Sequence, residues 1–112
     1  MRQYMPCDSP MTQVLWKFVV KAAHVSRFEQ AYGPGGDWER LFARYPGYLG
    51  TTLLRDPDRP NTYVTIDAWD AREQRDAMLA DARADYEALD ARCDGWTDSE
   101  SELGTFDIVS PL

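Results

Sequence analysis

Soft metal ligands are scarce in this chain. Histidine occurs once, at His24, and cysteine twice, at Cys7 and Cys93, far apart in the sequence. That spacing is neither a disulfide framework nor a metal-binding pattern. His24 has no Cys or Asp partner at ligand spacing, and a single histidine near a helix start fixes no Ser-His-Asp set. No metal site is expected. What remains for His24 is a part as base or as substrate contact. Cys93, inside a helical pattern, reads as a small buried apolar residue. No apolar run approaches the ~20 residues that a membrane span needs. The N-terminus, interrupted by Pro6 and Pro10, has no apolar segment of the secretory kind. A cytoplasmic, membrane-free protein is the expectation. Positive charge is also short: 12 Lys and Arg stand against 19 Asp and Glu, a net charge of −7. The arginines are scattered among acids without a basic stripe, which argues against nucleic acid as a partner.

What is present fits one small domain. The chain has 112 residues, 44% of them hydrophobic and 28% charged, with no repeat and no low-complexity tract. Residues 1–12 read as a loosely ordered lead-in, and residues 13–112 as the domain.

The chain is organised around Thr62–Trp69, whose residues divide by parity. Val64, Ile66 and Ala68 fall on one face; Tyr63, Thr65, Asp67 and Trp69 fall on the other, because strand side chains alternate. The first set is ordinary apolar burial. The second mixes rings with polar groups, and such a face can line a cavity for a ring-bearing ligand.

In chain order, residues 14–21 are β-branched and aromatic and predict a strand. Trp16, Phe18 and Val20 share one face; Leu15, Lys17 and Val19 share the other. Val25, Phe28 and Tyr32 then recur at helical spacing until Gly33-Pro34-Gly35-Gly36 ends the helix. Asp37 is the expected N-cap of a short second helix carrying Trp38, Leu41, Phe42 and Tyr45. Residues 48–55 predict a second strand, and residues 56–61 are turn chemistry joining it to Thr62–Trp69 as a hairpin. Asp70 is the expected cap of a long helix, with Glu73 completing a capping box. Met78, Ala82, Tyr86, Leu89 and Cys93 form its apolar stripe, Leu79 lies on the shoulder, and Gly95 is the expected C-cap. Residues 97–102 read as an acidic link, and residues 103–109 as the last strand.

Strand, broken helix, strand, strand, long helix, strand is the βαββαβ order of an α+β ferredoxin-like fold, a four-stranded antiparallel sheet with its helices on one face. The other face stays bare. Leu15, Val19, Val64 and Ile66 would lie there, which predicts a homodimer packed sheet to sheet.

The segment Ile66-Asp67-Ala68-Trp69-Asp70-Ala71, a strand ending in tryptophan and an acid before a long helix, resembles the antibiotic biosynthesis monooxygenase family of the dimeric α/β-barrel superfamily. Pro46-Gly47-Tyr48-Leu49-Gly50, leading into the second strand, resembles it too. The resemblance spans residues 14–109. It implies a dimeric barrel fold and oxygenation of small aromatic or polyketide substrates, between sheet and helices, without flavin, metal or haem. Two features depart from the family pattern. Residues 33–37 are an insertion that breaks the first helix and adds Trp38. No histidine stands on the long helix, where haem-degrading relatives keep their iron ligand, which argues against haem degradation.

Cofactor-free oxygenation asks a site to position a substrate, favour its anion and exclude water. On the resemblance, Trp69 offers a stacking surface and an indole donor. Thr65 can hydrogen-bond a substrate oxygen, and Asp67 serves as general base if burial raises its pKa. Trp16 matches a pocket-lining position of the superfamily, with Phe18 extending the same wall and Tyr63 on the same face as Thr65. Trp38 and Phe42 close the pocket from the broken helix, with Met78 and Leu79 opposite. Two other classes share the scaffold: a non-catalytic ligand-binding or regulatory protein, and an isomerase or lyase using His24 or Asp67 as base.

Overall fold

The computed structural model describes residues 10–109. Most of the lead-in, Cys7 included, lies outside the described residues. Thr12 already opens the first strand. Alternating Val14, Trp16, Phe18 and Val20 build β1 (Thr12–Val20), with Val14, Phe18 and Val20 buried toward the helices. A 3-10 turn, Ala22–His24, leads into α1 (Val25–Tyr32), whose Phe28, Ala31 and Tyr32 are buried. After the glycine segment come α2 (Asp37–Phe42), β2 (Tyr48–Arg55) and β3 (Thr62–Trp69). Asn61 closes the β2–β3 hairpin at φ 61, a left-handed conformation that asparagine tolerates. Helices α3 (Arg72–Asp81) and α4 (Arg83–Cys93) follow, then a 3-10 turn, Asp94–Trp96, and β4 (Thr97–Asp107).

The strands form one antiparallel sheet in the order β2-β3-β1-β4. This is the ferredoxin-like α+β fold, and the expected element order holds. Trp69, Phe28, Met78, Val20 and Cys93 are the most deeply buried apolar side chains, and they sit between sheet and helices. The helical stripe of Met78, Ala82, Leu89 and Cys93 is buried as its spacing implies.

Several local expectations are corrected. Residues 97–102 are not a link but the first half of β4, paired to β1 from Val20–Thr97 through Trp16–Glu102. Their acidic and serine side chains hide the strand because edge-strand pairing uses backbone groups, whatever the side chains are. The long helix is interrupted at Ala82 (φ −94, ψ 16) and continues as α4. Ala71, not Asp70, is the N-cap of α3, and no side chain caps it. The Asp70 N–H is instead spent on the Gly47 carbonyl at 2.7 Å, which ties the end of β3 to the start of β2. Gly36, not Asp37, stands at the N-cap of α2. The Asp37 carboxylate pairs with Arg40 at 3.0 Å and with Arg92 of α4, so it clamps two helices rather than capping one. Gly95 lies inside the 3-10 turn, and Asp94 is the C-cap of α4.

One irregularity positions the site. Tyr48 pairs with Trp69 and Gly50 with Ala68, so Leu49 is an extra residue on β2. Gly50 takes φ 135 at this bulge, a conformation open to glycine. The bulge turns both Tyr48 and Thr51 toward the helices, although their numbers differ in parity.

Candidate active site

Between sheet and helices, the structure brings together Trp16 and Phe18 of β1, Thr65 and Asp67 of β3, Thr51 of β2, and Glu100 of β4. From the helices come Tyr32, Trp38, Phe42, Tyr86 and Asp90. They surround a narrow cleft of about 460 Å³ of atom-free space with open solvent included, of which about 50 Å³ is open to a water molecule. Asp90 and Glu100 are exposed and mark its mouth, whereas Thr65, Phe18, Trp38 and Phe42 are buried inside. The rings interlock. Trp38 meets Tyr86 edge-on at 4.9 Å between centroids and tilts against Phe42 at 5.8 Å. Trp16 and Phe18 lie nearly parallel at 6.4 Å.

Asp67 is the polar centre of the sheet wall. It lies opposite Thr51 in the β2–β3 register, and the Thr51 hydroxyl donates to its carboxylate at 2.6 Å. Thr51 has one hydroxyl proton, so with that proton committed, its oxygen accepts from the Tyr48 hydroxyl beside it. A chain of hydroxyls therefore leads from Tyr48 through Thr51 to Asp67. Burial raises the Asp67 pKa from 3.8 to about 6, against the opposing pull of the Thr51 hydroxyl and the Arg75 charge. Three further groups of the wall, Tyr86, Glu100 and Tyr32, move the same way. Burial pushes Tyr86 up to about 12, and the charges of Asp90 and Asp67 add to it. Glu100 is raised by burial first and then by repulsion from Asp90 and Asp94. The Tyr32 phenol is raised by burial and by the Cys93 thiol beside it. None of the lining residues is Lys, Arg or His, so the cavity disfavours added negative charge.

Of the residues singled out from the sequence, Trp16, Phe18, Trp38, Phe42, Thr65 and Asp67 meet at this cavity. The others lie elsewhere. Trp69 is 1% exposed and stands behind the wall, packed on Phe42 at 5.9 Å and on Tyr48 at 5.3 Å. The strand alternation places it on the expected face, but it sits at the end of β3, where α2 and the start of β2 cover it. Tyr63, at the other end of the same face, packs on Phe28 at 5.1 Å and donates its hydroxyl to Glu29. Met78 is buried in the core and Leu79 packs against it. His24 is the N-cap of α1, away from the cavity.

Thr51, Tyr32, Tyr86, Asp90 and Glu100 were not among the candidates. Tyr32 and Tyr86 could have been found on helical stripes facing the sheet, and Thr51 from its hairpin register once the bulge is known. Glu100 lay within the stretch read as a link. Asp90 carries no sequence signal. Among the described residues, no group of three or more His, Cys, Asp or Glu side chains is placed to hold a metal ion, and no helix is long and apolar enough to cross a membrane.

No family model and no curated protein matches the chain. Solved structures do. SnoaB, a cofactor-independent oxygenase from Streptomyces nogalater, is 26% identical over 93% of this chain and 98% of its own, with a TM-score of 0.70. A candidate antibiotic biosynthesis monooxygenase from Nitrosomonas europaea is 18% identical over 97% of this chain and 98% of its own, with a TM-score of 0.72. A further candidate of that kind, from Bordetella bronchiseptica, is 17% identical over 91% of this chain and all of its own, with a TM-score of 0.73. At these identities the second and third speak for the fold alone. The structural relatives thus agree with the resemblance read from the sequence: the chain is antibiotic biosynthesis monooxygenase-like, with that family's ferredoxin-like α+β fold.

Proposed function

We propose that the protein is a cofactor-independent monooxygenase acting on a small aromatic or polyketide-type ring substrate in the cavity between sheet and helices. The observation that carries this reading is Asp67: a carboxylate raised to about 6 by burial, on the wall of an aromatic cavity. A general base with a pKa near working pH is ionised yet basic enough to take a proton. The ring walls hold the substrate plane, and Thr65 offers a hydroxyl to a substrate oxygen. Asp67 accepts a proton from an activated ring CH₂, and the electron pair left behind is delocalised over the ring system. Charge moves from carboxylate to substrate without changing the total in the cavity, so burial does not oppose the step as it would oppose a new anion. The carbanion passes an electron to dioxygen, and the radical pair combines as a peroxide. Loss of water then leaves a ketone: CH₂ and O₂ become C=O and H₂O, with the substrate as sole reductant.

The likeness to SnoaB, itself described as a cofactor-independent oxygenase, supports the same reading. The absence of basic groups from the lining favours neutral substrates over carboxylate-bearing ones.

The assembly belongs to the proposal too. On the sheet face away from the helices, Leu15, Val19, Val64 and Ile66 are only half-buried, and Leu54 and Phe106 are 46% and 51% exposed. Their register partners place all of them on one surface. A second copy packed on this face would cover it.

Oxygen uptake by the metal-free protein with anthrones and dihydroxylated aromatics tests the activity. Uptake above the substrates' own autoxidation, lost in Asp67→Asn, is the expected result. Ligand binding without uptake would favour the binding-protein reading.

A further inference from the structure

Tyr86 is the tyrosine whose hydroxyl the fold leaves unclaimed. Tyr45 donates to Asp81 at 2.9 Å, Tyr48 to Thr51 and Tyr63 to Glu29, while Tyr32 has the Cys93 thiol and the Trp38 indole beside it. No group among the described residues hydrogen-bonds to the Tyr86 phenol. What acts on it is burial, then the charges of Asp90, Asp67, Arg75 and Glu100. The oxygen is nonetheless reachable. The shielded polar atoms without a partner are His24 Nδ1, Trp38 Nε1 and Gln74 Oε1, and the Tyr86 hydroxyl is not one of them. The residue is partly exposed and lines the cleft. Asp67 and Glu100 line the same cleft from the sheet, so a phenol that feels both charges faces it from α4. Asp90, one turn further along α4, marks the mouth, and a ligand entering there meets this hydroxyl. The ring is fixed by Trp38 edge-on at 4.9 Å and by Phe42 at 6.4 Å. With its pKa pushed up to about 12, the phenol stays a donor at any ordinary pH.

We propose that the Tyr86 hydroxyl is a catalytic donor to the carbonyl oxygen of a ring ketone, holding the enolate oxygen that forms when Asp67 takes the proton. The proposal rests on the proton abstraction of the reaction above and not on its oxygen step. In a ring ketone of the anthrone kind, the carbonyl lies across the central ring from the acidic CH₂. A base on one wall therefore needs its partner donor on the other. Asp67 stands on the sheet and Tyr86 on α4, whereas Thr65 shares the wall of the base. As the C–H bond breaks, its proton goes to the Asp67 carboxylate and its electron pair moves through the ring onto the carbonyl oxygen. The Tyr86 O–H bond is kept, and its hydrogen bond strengthens as the charge on that oxygen grows. The Asp67 charge disappears in the same step, which removes one of the carboxylates that would repel the new oxyanion. The Arg75 charge, which also reaches the phenol, remains.

Anthrone in D₂O without oxygen isolates this step, read by NMR as exchange of the CH₂ protons for deuterium. The wild type should speed the exchange over buffer alone. Tyr86→Phe keeps the ring and removes a hydroxyl that no protein group uses, so its melting temperature should match the wild type. Its kcat for exchange should fall by about 10²–10³-fold with KM held within a few-fold, because the hydrogen bond is worth most when the oxygen is charged. A second reading needs binding only: the carbonyl stretch of bound 9-fluorenone, which has no acidic CH₂, should lie at lower frequency in the wild type than in Tyr86→Phe. Unchanged exchange in the variant, a loss carried by KM alone, a loss that accompanies a lowered melting temperature, equal carbonyl frequencies, or no acceleration by the wild type would each overturn the proposal. Failure of the oxygenase reading would appear separately, as wild-type exchange that Tyr86→Phe loses, with no oxygen uptake in air.

Discussion

Thr51 and Asp67 face each other across β2 and β3, hydroxyl to carboxylate at 2.6 Å, and this pair sets the basicity of the site. The hydroxyl stabilises the ionised form of Asp67 and so limits the rise that burial causes. Thr51→Val removes the donor and keeps the shape. The limb of kcat/KM against pH should then move upward from its position near 6, with less loss at high pH than at neutral pH. An unmoved limb would remove Asp67 from the titration that governs the rate.

Asp67 also couples stability to pH, with a sign opposite to that of most surface carboxylates. Its folded-state pKa of about 6 lies above its ordinary 3.8, so between those values the folded protein binds the extra proton. The stability this contributes is complete below pH 3.8 and is lost as pH rises to about 6. At neutral pH the ionised side chain costs on the order of 3 kcal/mol. Asp67→Asn should therefore raise the melting temperature at pH 8 and leave it nearly unchanged at pH 4. Its oxygen uptake should fall by about 10²–10⁴-fold, the usual worth of a general base.

Much of this arrangement is legible in the sequence. Parity alone put Thr65 and Asp67 on one face of β3, and Trp16 and Phe18 on one face of β1, because a half-buried strand must alternate. Helical spacing put Trp38 and Phe42 on the inner side of α2. What alternation does not carry is how far along a strand the cavity lies. Trp69 and Tyr63 share the face of Asp67, but the helices close over both ends of β3 and leave only its middle open. Glu100 was hidden for a different reason. A polar edge strand is held by backbone hydrogen bonds to β1, and its Ser and Glu side chains leave no hydrophobic signature.

Trp69 should behave as a structural support for this wall. It is buried against Phe42 and Tyr48, so Trp69→Phe should lower stability by about 1–2 kcal/mol through the space it leaves. Oxygen uptake should fall only as far as Phe42 shifts, within a few-fold. A loss of turnover at full stability would instead place the indole in the chemistry.

Gly36 lets α2 start close against the end of α1. A Cβ there would stand 2.3 Å from the Gln30 carbonyl oxygen and 2.5 Å from that of Ala31, both backbone atoms that cannot step aside cheaply. Gly36→Ala should cost about 1–3 kcal/mol. Because Trp38 rides on the same turn, the variant should also lower oxygen uptake, as urea denaturation and oxygen-electrode assays together would show.

The bare sheet face yields a test of the assembly. Ile66 is half-buried there, back to back with the cavity strand residues Thr65 and Asp67. Ile66→Glu should leave the fold intact and convert a dimer into a monomer in sedimentation experiments. A wild type that sediments as a monomer would remove the dimer from the proposal.

The extra residue at Leu49 makes the site indifferent to a count. Upstream of it Tyr48 faces the helices on an even number, and downstream Thr51 faces them on an odd one. Deleting Leu49 would place Tyr48 two residues before Thr51, and a regular strand would then carry both on the helix side, opposite Trp69 and Asp67. The hydroxyl chain is thus written by register with β3, and a relative one residue shorter here would keep the same wiring on an unbulged strand.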